Sequence, residues 1–515
     1  MSTSIAVNEN DNVVISDVPL TWHSIVDVAN GAFLSLEEKA WDRVRNARKI
    51  IEQIVHRKER AYGITTGLGA LCDTLLTPSE LTTLSTNALK SHACGVGAPL
   101  APELVRAILV AQINNFAHGH SGVSPEVVSR LIEFLNSRIT PVMPADGSVG
   151  YLTHMAHAAL PVIGLGDVMF EGVRISGEEL QARFGLDPVC LAAKDGLSLI
   201  NGTPCSVGMM CVALERAERL LKWADIIAAM SFEALRGQLD AFSPEALAAK
   251  PFPGIQKVGQ NLRRMLQDSV NLSNSKGVRT QDALSIRSIP QIHGASRDQF
   301  AHVEYQVNLE LASATDNPLV FGHANDYRVI SQANPHGQNM AMAADTLSVA
   351  VAELAGVAER RVDRLVNPLT SGLPPFLLKQ SGVNSGLMIV QYVAASLVSE
   401  NKVLAIPRVI DNYVTSGLQE DHLSMSTPAA LRVGKILDNA ETVLAIEYLV
   451  ASQALSFFSP AEIGTGSRIA LEILREDIRP YTEDRVVSID IEKTLAIIRK
   501  PANLTQIETT LRQTL

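Results

Sequence analysis

Apolar residues recur at helical spacing along most of the chain, as in Leu104-Val105-Ile108-Leu109-Ile113 and Val128-Leu131-Ile132-Leu135. Positions three and four apart share one face of a helix, so these runs predict amphipathic helices with one side turned to a core. Asn339–Val366 carries Ala, Leu, Val and Met at the same period with few breakers, and a second Ala-rich apolar segment runs from Gly386 to Leu404. Two such helices predict a central bundle, and the breadth of their apolar surface predicts that other subunits cover part of it. Strand patterns are short, at Asn12–Ile15, Val168–Ile175 and Arg328–Ile330, and predict small hairpins without an extended sheet. The expected fold class is therefore mainly α. Pro251-Phe252-Pro253-Gly254 and Leu373-Pro374-Pro375-Phe376 read as turns between helical blocks, too short to be interdomain tethers.

Composition narrows the function classes. With 46% hydrophobic and 19% charged residues over 515 positions, the chain can bury a sizeable core and is not a disordered one. A net charge of −10 argues against a general nucleic-acid or acidic-membrane binder, which needs clustered Lys and Arg. Residues 1–12 are polar and acidic, with no basic start followed by an apolar run, so they read as a flexible tail and not as a secretory signal. No low-complexity linker divides residues 13–515, which read as a single unit. Asp345 and Glu353 interrupt the apolar stretch Ala341–Gly356 and disfavour a membrane span. The expectation is a cytoplasmic protein. Cys72, Cys94, Cys190, Cys205 and Cys211 show no CxxC pair and no metal spacing, so each is expected to be a buried thiol, with no metal site.

Chemistry-bearing motifs follow one another along the chain. Ala145-Asp146-Gly147-Ser148-Val149-Gly150-Tyr151-Leu152-Thr153-His154-Met155-Ala156-His157 resembles the catalytic segment of the histidine and phenylalanine ammonia-lyase family with its centre cut out. In that family Gly-Ser-Val-Gly is followed by Ala-Ser-Gly-Asp, and Ala-Ser-Gly cyclises into an electrophilic methylidene-imidazolone that attacks the substrate amine. Here Gly150 is followed by Tyr151, so the tripeptide's position lies between them. Restoring three residues there brings Leu152, Ala156, His157, Leu160, Gly164 and Gly166 into the family's phase. His154 stands where the family usually has proline.

The resemblance runs from Tyr62 to beyond Glu420 and implies an active-site region at about 13–200, a central helical bundle with C-terminal helices at about 201–515, and residue roles. Tyr62 lies in Tyr62-Gly63-Ile64-Thr65-Thr66-Gly67-Leu68-Gly69, similar to the inner loop whose tyrosine is the catalytic base. Glycines let such a loop fold over a ligand, and the phenol needs its pKa lowered before it can take a weakly acidic proton. His92 in Ser91-His92-Ala93-Cys94-Gly95 matches a ring-contacting position, and Asn201-Gly202-Thr203 after Lys194-Asp195-Gly196-Leu197 matches a segment that orients the substrate. Arg287 in Ser285-Ile286-Arg287-Ser288-Ile289-Pro290-Gln291 matches the carboxylate clamp, a task suited to a planar guanidinium. Gln291 in that segment and Asn334 in Asn334-Pro335-His336-Gly337 are carried over as substrate-binding positions. Thr315-Asp316-Asn317-Pro318 is close to another family segment. Gln419-Glu420-Asp421-His422-Leu423-Ser424-Met425 resembles the version found in histidine-type members, where the glutamate faces the imidazole. A carboxylate there suits a ring with an N–H and is costly against bare phenyl.

Leu284 and Pro335 replace a tyrosine and an aromatic residue of the family, and Lys379 stands where the histidine-active relative has glutamate. A lysine facing inward would disfavour a bound cation or stabilise developing negative charge. Without Ala-Ser-Gly, covalent activation of the amine is missing, whereas a quaternary nitrogen leaves as a neutral trialkylamine. The leading expectation is therefore an ergothionase-type carbon–nitrogen lyase that eliminates trimethylamine from a histidine betaine such as ergothioneine, with no cofactor. Tyr62 and Lys379 are its expected catalytic residues. Two alternatives are a methylidene-imidazolone-dependent histidine or aromatic ammonia-lyase whose tripeptide is absent from the sequence, and a non-catalytic binding homologue. The resemblance also implies a homotetramer with active sites shared between subunits, acting on a small molecule that bears a carboxylate and a histidine-like ring.

Overall fold

The computed structural model describes residues 12–380 and 382–515. Of the expected tail, residues 1–11 lie outside this range, and Asn12 opens a strand. The chain is mainly helical, as its periodicity predicts, with four small sheets of two or three strands among the described residues. Contacts group it into two compact units. One comprises residues up to Glu215, Val303–Asp345 and Pro407–Leu431; the other comprises Arg216–His302, Thr346–Ile406 and Arg432–Leu515.

In the first unit the helices Pro78–His92, Pro102–Ala117 and Pro125–Asn136 each begin at a proline. The first turn leaves its N–H groups unpaired in any case, so proline is well placed there. Pro102–Ala117 was expected to be amphipathic, yet it is buried on every side from Val105 to Ala117. Its polar residues make this possible by pairing internally: Gln112 Nε2 donates to Ser198 O at 2.9 Å, and Asn114 Nδ2 donates to Leu311 O at 2.7 Å. Arg106 donates to the carbonyls of Ala29, Val28 and Leu135 at 2.9, 2.7 and 2.9 Å, and so caps two helix ends. Burial lowers its pKa to about 10.

Two of the expected strand segments close as hairpins and one does not. Val168–Ile175 folds as Asp167–Phe170 against Val173–Ser176, because Glu171 (φ 49°) and Gly172 (φ 78°) take the left-handed pair of conformations that a two-residue turn demands. Arg328–Ile330 pairs within Asp326–Ile330 against Leu319–His323. Asn12–Ile15 instead pairs in parallel with Phe33–Leu36. A parallel pair needs a crossover, which the helix Trp22–Ala29 provides.

The second unit carries a buried charged network. Arg361 Nε and Nη2 donate to Glu447 at 2.6 and 2.9 Å. Glu447 also accepts from Ser231 Oγ at 2.6 Å. Asp225 accepts from Arg297, Asn261 and His293 at 2.7, 2.8 and 2.8 Å. Burial raises the Asp225 pKa, but Arg297 and His293 outweigh it and hold the carboxyl at about 2. The helix expected over Gly386–Leu404 begins only at Val390. Gly386 sits at φ 59°, and its N–H and that of Ser385 are taken by the Asp484 carboxylate at 2.8 and 2.7 Å, which holds the chain in a turn.

Two helical stretches, Asp195–Ala234 and Gln338–Val366, are long and apolar enough to cross a membrane by length and composition. Their most apolar windows are 94% and 67% buried in the protein, as in core helices of a folded chain. The cysteines divide: Cys205 and Cys211 are buried as expected, whereas Cys94 and Cys190 are exposed and Cys72 is partly so.

Candidate active site

A cavity of about 1210 Å³ opens in the first unit. Among its lining residues are four of those expected to be catalytic or substrate-binding: Tyr62, His92, Asn201 and Glu420. They come from four separate segments.

Tyr62 rides on a loop fixed from beneath by hydroxyls: Thr65 Oγ1 donates to Glu59 O at 2.6 Å, and Gly63 N–H donates to Thr66 Oγ1 at 3.1 Å. Gly63 lies at φ 62°, and a Cβ there would stand 2.4 Å from Leu197 Cδ2, so the loop's approach to the helix Asp195–Ile200 requires glycine. Gly69 N–H donates to Tyr62 Oη at 3.3 Å. Burial pushes the Tyr62 phenol above its ordinary pKa, and the charges of Glu420 and Asp316 add to this against the Gly69 hydrogen bond. Tyr62 thus holds its proton in these surroundings, and a neighbouring positive charge is what would draw its pKa down.

His92 ends the helix Pro78–His92, with Nδ1 2.8 Å from Ala88 O. A carbonyl only accepts, so Nδ1 carries the hydrogen and Nε2 of the neutral ring is an acceptor. Glu420 is held by a two-residue bridge to Thr415, whose N–H reaches Glu420 O at 2.8 Å and whose hydroxyl reaches Oε2 at 3.3 Å. Asn201 caps the helix Asp195–Ile200 and donates to Asp316 and Asn317.

The other expected site residues lie elsewhere. Asn334 is exposed and donates to Ala314 O at 3.0 Å; its neighbours Ala333 and Pro335 line the cavity instead. Arg287, Gln291 and Lys379 belong to the second unit and are not among the cavity's lining residues. Arg287 Nε and Gln291 Oε1 are buried without a partner, and Lys379 is exposed. His154 is buried, with one ring nitrogen 2.9 Å from Ala145 O, and burial lowers its pKa.

Three features escaped the sequence reading. Tyr151, read there only as a departure, lines the cavity near Glu420; burial first, then the Glu420 carboxylate, raise its pKa. His336 Nε2 and His422 Nδ1 stand 3.1 Å apart at the same cavity, and burial and His422 lower the His336 pKa. Lys194 and Asp316 form a fully buried ion pair at 2.6 Å behind Asn201. Both lie inside motifs quoted above, but their pairing spans too much sequence for spacing to reveal it. Among the described residues, no group of three or more His, Cys, Asp or Glu is placed to hold a metal ion.

The turn before Tyr151 is tightly pinned. Met425 N–H donates to Val149 O at 2.8 Å, and Gly150 O accepts from Ser426 Oγ and Thr427 Oγ1 at 3.2 and 2.9 Å. A Cβ on Gly150 would stand 2.6 Å from Ser424 Oγ.

The aromatic amino acid lyase family model matches residues 20–476. Histidine ammonia-lyase of Natranaerobius thermophilus is 44% identical over 94% of this chain and 96% of its own. The crystal structure of histidine ammonia-lyase from Trypanosoma cruzi superposes with a TM-score of 0.90 at 35% identity, covering 97% and 95% of the two chains. The ergothioneine-degrading enzyme ergothionase from Treponema denticola, in complex with desmethyl-ergothioneine sulfonic acid, superposes equally well at 0.90 but at 28% identity, covering 96% and 100%.

These findings correct two expectations. Trimethylamine elimination from a betaine gives way to the histidine ammonia-lyase alternative, because the relatives that are more similar in sequence bear that name. Lys379, expected to act on the quaternary nitrogen, is exposed and outside the cavity lining. The expectation of no cofactor falls with it, since ammonia-lyases of the family that the sequence resembles use methylidene-imidazolone. The residues present at the corresponding turn do not fit that group: Gly150 passes directly to Tyr151, and the Ala-Ser-Gly from which it forms is not there.

Proposed function

The chain belongs to the aromatic amino acid lyase family, and from that premise we propose that it is a histidine-type ammonia-lyase, releasing ammonia from histidine to leave a urocanate. One observation carries the ring assignment: Glu420 and His92 line the same cavity as Tyr62 and Asn201. Glu420 accepts one imidazole N–H, and the acceptor Nε2 of His92 takes the other when the ring is protonated. A phenyl ring would offer neither acceptor a hydrogen while shielding both from water, at a cost that makes the pocket selective.

In this reading Tyr62 takes a proton from the β-carbon, the Cβ–H electron pair forms the double bond, and the C–N bond breaks to release the nitrogen. The phenol, raised by burial, becomes competent when the cationic substrate enters beside it. Arg287 clamps the carboxylate and Gln291 lies beside it, both from a second copy of the chain in a homotetramer with shared sites. Arg60 is the one arginine among the residues lining this chain's cavity, and it is already paired with Asp73. Exposed Ile389, Tyr392 and Val403 on and beside the helix Val390–Leu404 support such an assembly. Five free cysteines suit a reducing, cytoplasmic setting.

The test is ammonia release and the rise of ultraviolet absorbance on incubation with histidine, phenylalanine and ergothioneine. Histidine should be turned over and phenylalanine not; the reverse order overturns the ring assignment. Intact mass reports the prosthetic group directly, because a polypeptide that carries it is heavier than the sequence by the processed tripeptide.

A further inference from the structure

Asn201 is oriented by what lies behind it. Its Nδ2 donates to Asp316 Oδ1 at 3.1 Å and to Asn317 O at 3.0 Å. A carboxylate and a carbonyl only accept, so the amide nitrogen must face them and both of its hydrogens are spent. Turning the amide over would set an oxygen against two oxygens. The atom left for the cavity is Oδ1, an acceptor.

Asp316 is the group that enforces this polarity. It is wholly buried. Its Oδ2 receives Lys194 Nζ at 2.6 Å and Ser198 Oγ at 2.8 Å, and its Oδ1 receives its neighbour's Asn317 N–H at 2.7 Å as well as Asn201. Lys194 Nζ also reaches Ser198 Oγ at 3.0 Å, so the ammonium and the carboxylate lock each other. A buried pair of this kind is weak evidence for added stability, and fixing one arrangement is the better-attested use of such pairs.

We propose that the Lys194–Asp316 pair is a positioning device that presents the Asn201 carbonyl to the cavity, so that the site selects an α-nitrogen bearing at least one hydrogen. The inference rests on the histidine-type reading of the site. A primary ammonium offers hydrogens to Oδ1. A quaternary nitrogen offers none, and would shield that oxygen from water without pairing it.

Stepwise N-methylation separates this from simple crowding. In a Tyr62→Phe background, which removes the proposed base, calorimetric affinities would be measured for histidine and for its Nα-methyl, dimethyl and trimethyl forms. Imidazolepropionate, which lacks the nitrogen, is the control. The mono- and dimethyl ammonium forms keep an N–H, so affinity should hold to the dimethyl form and then drop about tenfold or more at the trimethyl form. Asp316→Asn, or the milder Ser198→Ala if that variant does not fold, should shrink the final step while leaving imidazolepropionate unchanged. An even decline with each methyl, trimethylhistidine bound as tightly as histidine, or a variant that weakens every ligand by the same factor would overturn the proposal. If unmodified protein releases no ammonia from histidine yet the step is present, the histidine reading fails and the positioning role stands. Should imidazole ligands not bind at all, the same methyl series built on phenylalanine gives the same decision.

Discussion

Replacing Glu420 by glutamine changes one property of the ring pocket, the charge, and keeps an acceptor of the same shape. The carboxylate is half-buried, with Oε2 partly engaged by the Thr415 hydroxyl at 3.3 Å. A hydrogen bond to a charged group is worth about 1.5–3 kcal/mol, and partial exposure places this one near the lower end. Glutamine retains a neutral hydrogen bond, so the loss should be about 1 kcal/mol, or roughly fivefold in kcat/KM for histidine. For phenylalanine the sign reverses, because desolvating the carboxylate against a ring without an N–H is no longer required. The assay is initial-rate product absorbance with both amino acids, reported as the ratio of the two kcat/KM values. A fall in the histidine-to-phenylalanine ratio supports the assignment. An unchanged ratio, with both substrates slowed alike, would refute it and leave Glu420 as a support for its own loop.

Other outcomes follow from the same structure. Tyr62→Phe should lower kcat by about a hundredfold or more while leaving the affinity for imidazolepropionate unchanged, as measured by steady-state kinetics and calorimetry. Arg106→Lys cannot reproduce the guanidinium's fork to three carbonyls and should destabilise the fold by about 2–3 kcal/mol in urea titration; a neutral result would mean that water replaces those contacts. Burial lowers the pKa of His293 below its ordinary value, so the unfolded chain binds more protons once the pH drops below about 6.5. Its contribution is therefore present above that pH and lost below it, and the melting temperature should fall between pH 7 and 5 less steeply in His293→Gln. Arg361→Met leaves the Glu447 carboxylate buried without its bidentate partner and should cost about 3–5 kcal/mol, read by thermal denaturation.

The sequence makes the helices legible because periodicity is local. Asn339–Val366 is found as Gln338–Val366. Where helix limits went astray, the cause was distant: Val390 rather than Gly386 opens its helix because Asp484, about a hundred residues on, captures two backbone N–H groups. The cavity follows the same rule. Tyr62, His92, Asn201 and Glu420 each stand inside a local motif, and the fold brings them to one place. Lys194 and Asp316 were also inside such motifs, but their pairing and the hydrogen bond from Asn201 join positions 122 and 115 residues apart, which no spacing argument reaches. Arg287, Gln291 and Lys379 stand in motifs as local as the others, yet within one chain they fall in the other unit, because a motif fixes what a residue can do and not which part of the fold, or which copy of the chain, presents it.

The pinned turn at Val149–Gly150 has an engineering consequence. On one side Met425, Ser426 and Thr427 hold the chain, and two residues later Leu152 N–H is anchored to Ile200 O at 3.2 Å. Both anchors use backbone atoms, so they are indifferent to what side chains lie between them, and lengthening a tethered loop carries only a slowly growing entropic penalty. Gly150 and Tyr151 therefore mark a graft point, a place where a short cassette could be spliced into a catalytic cavity with the surrounding scaffold left in register.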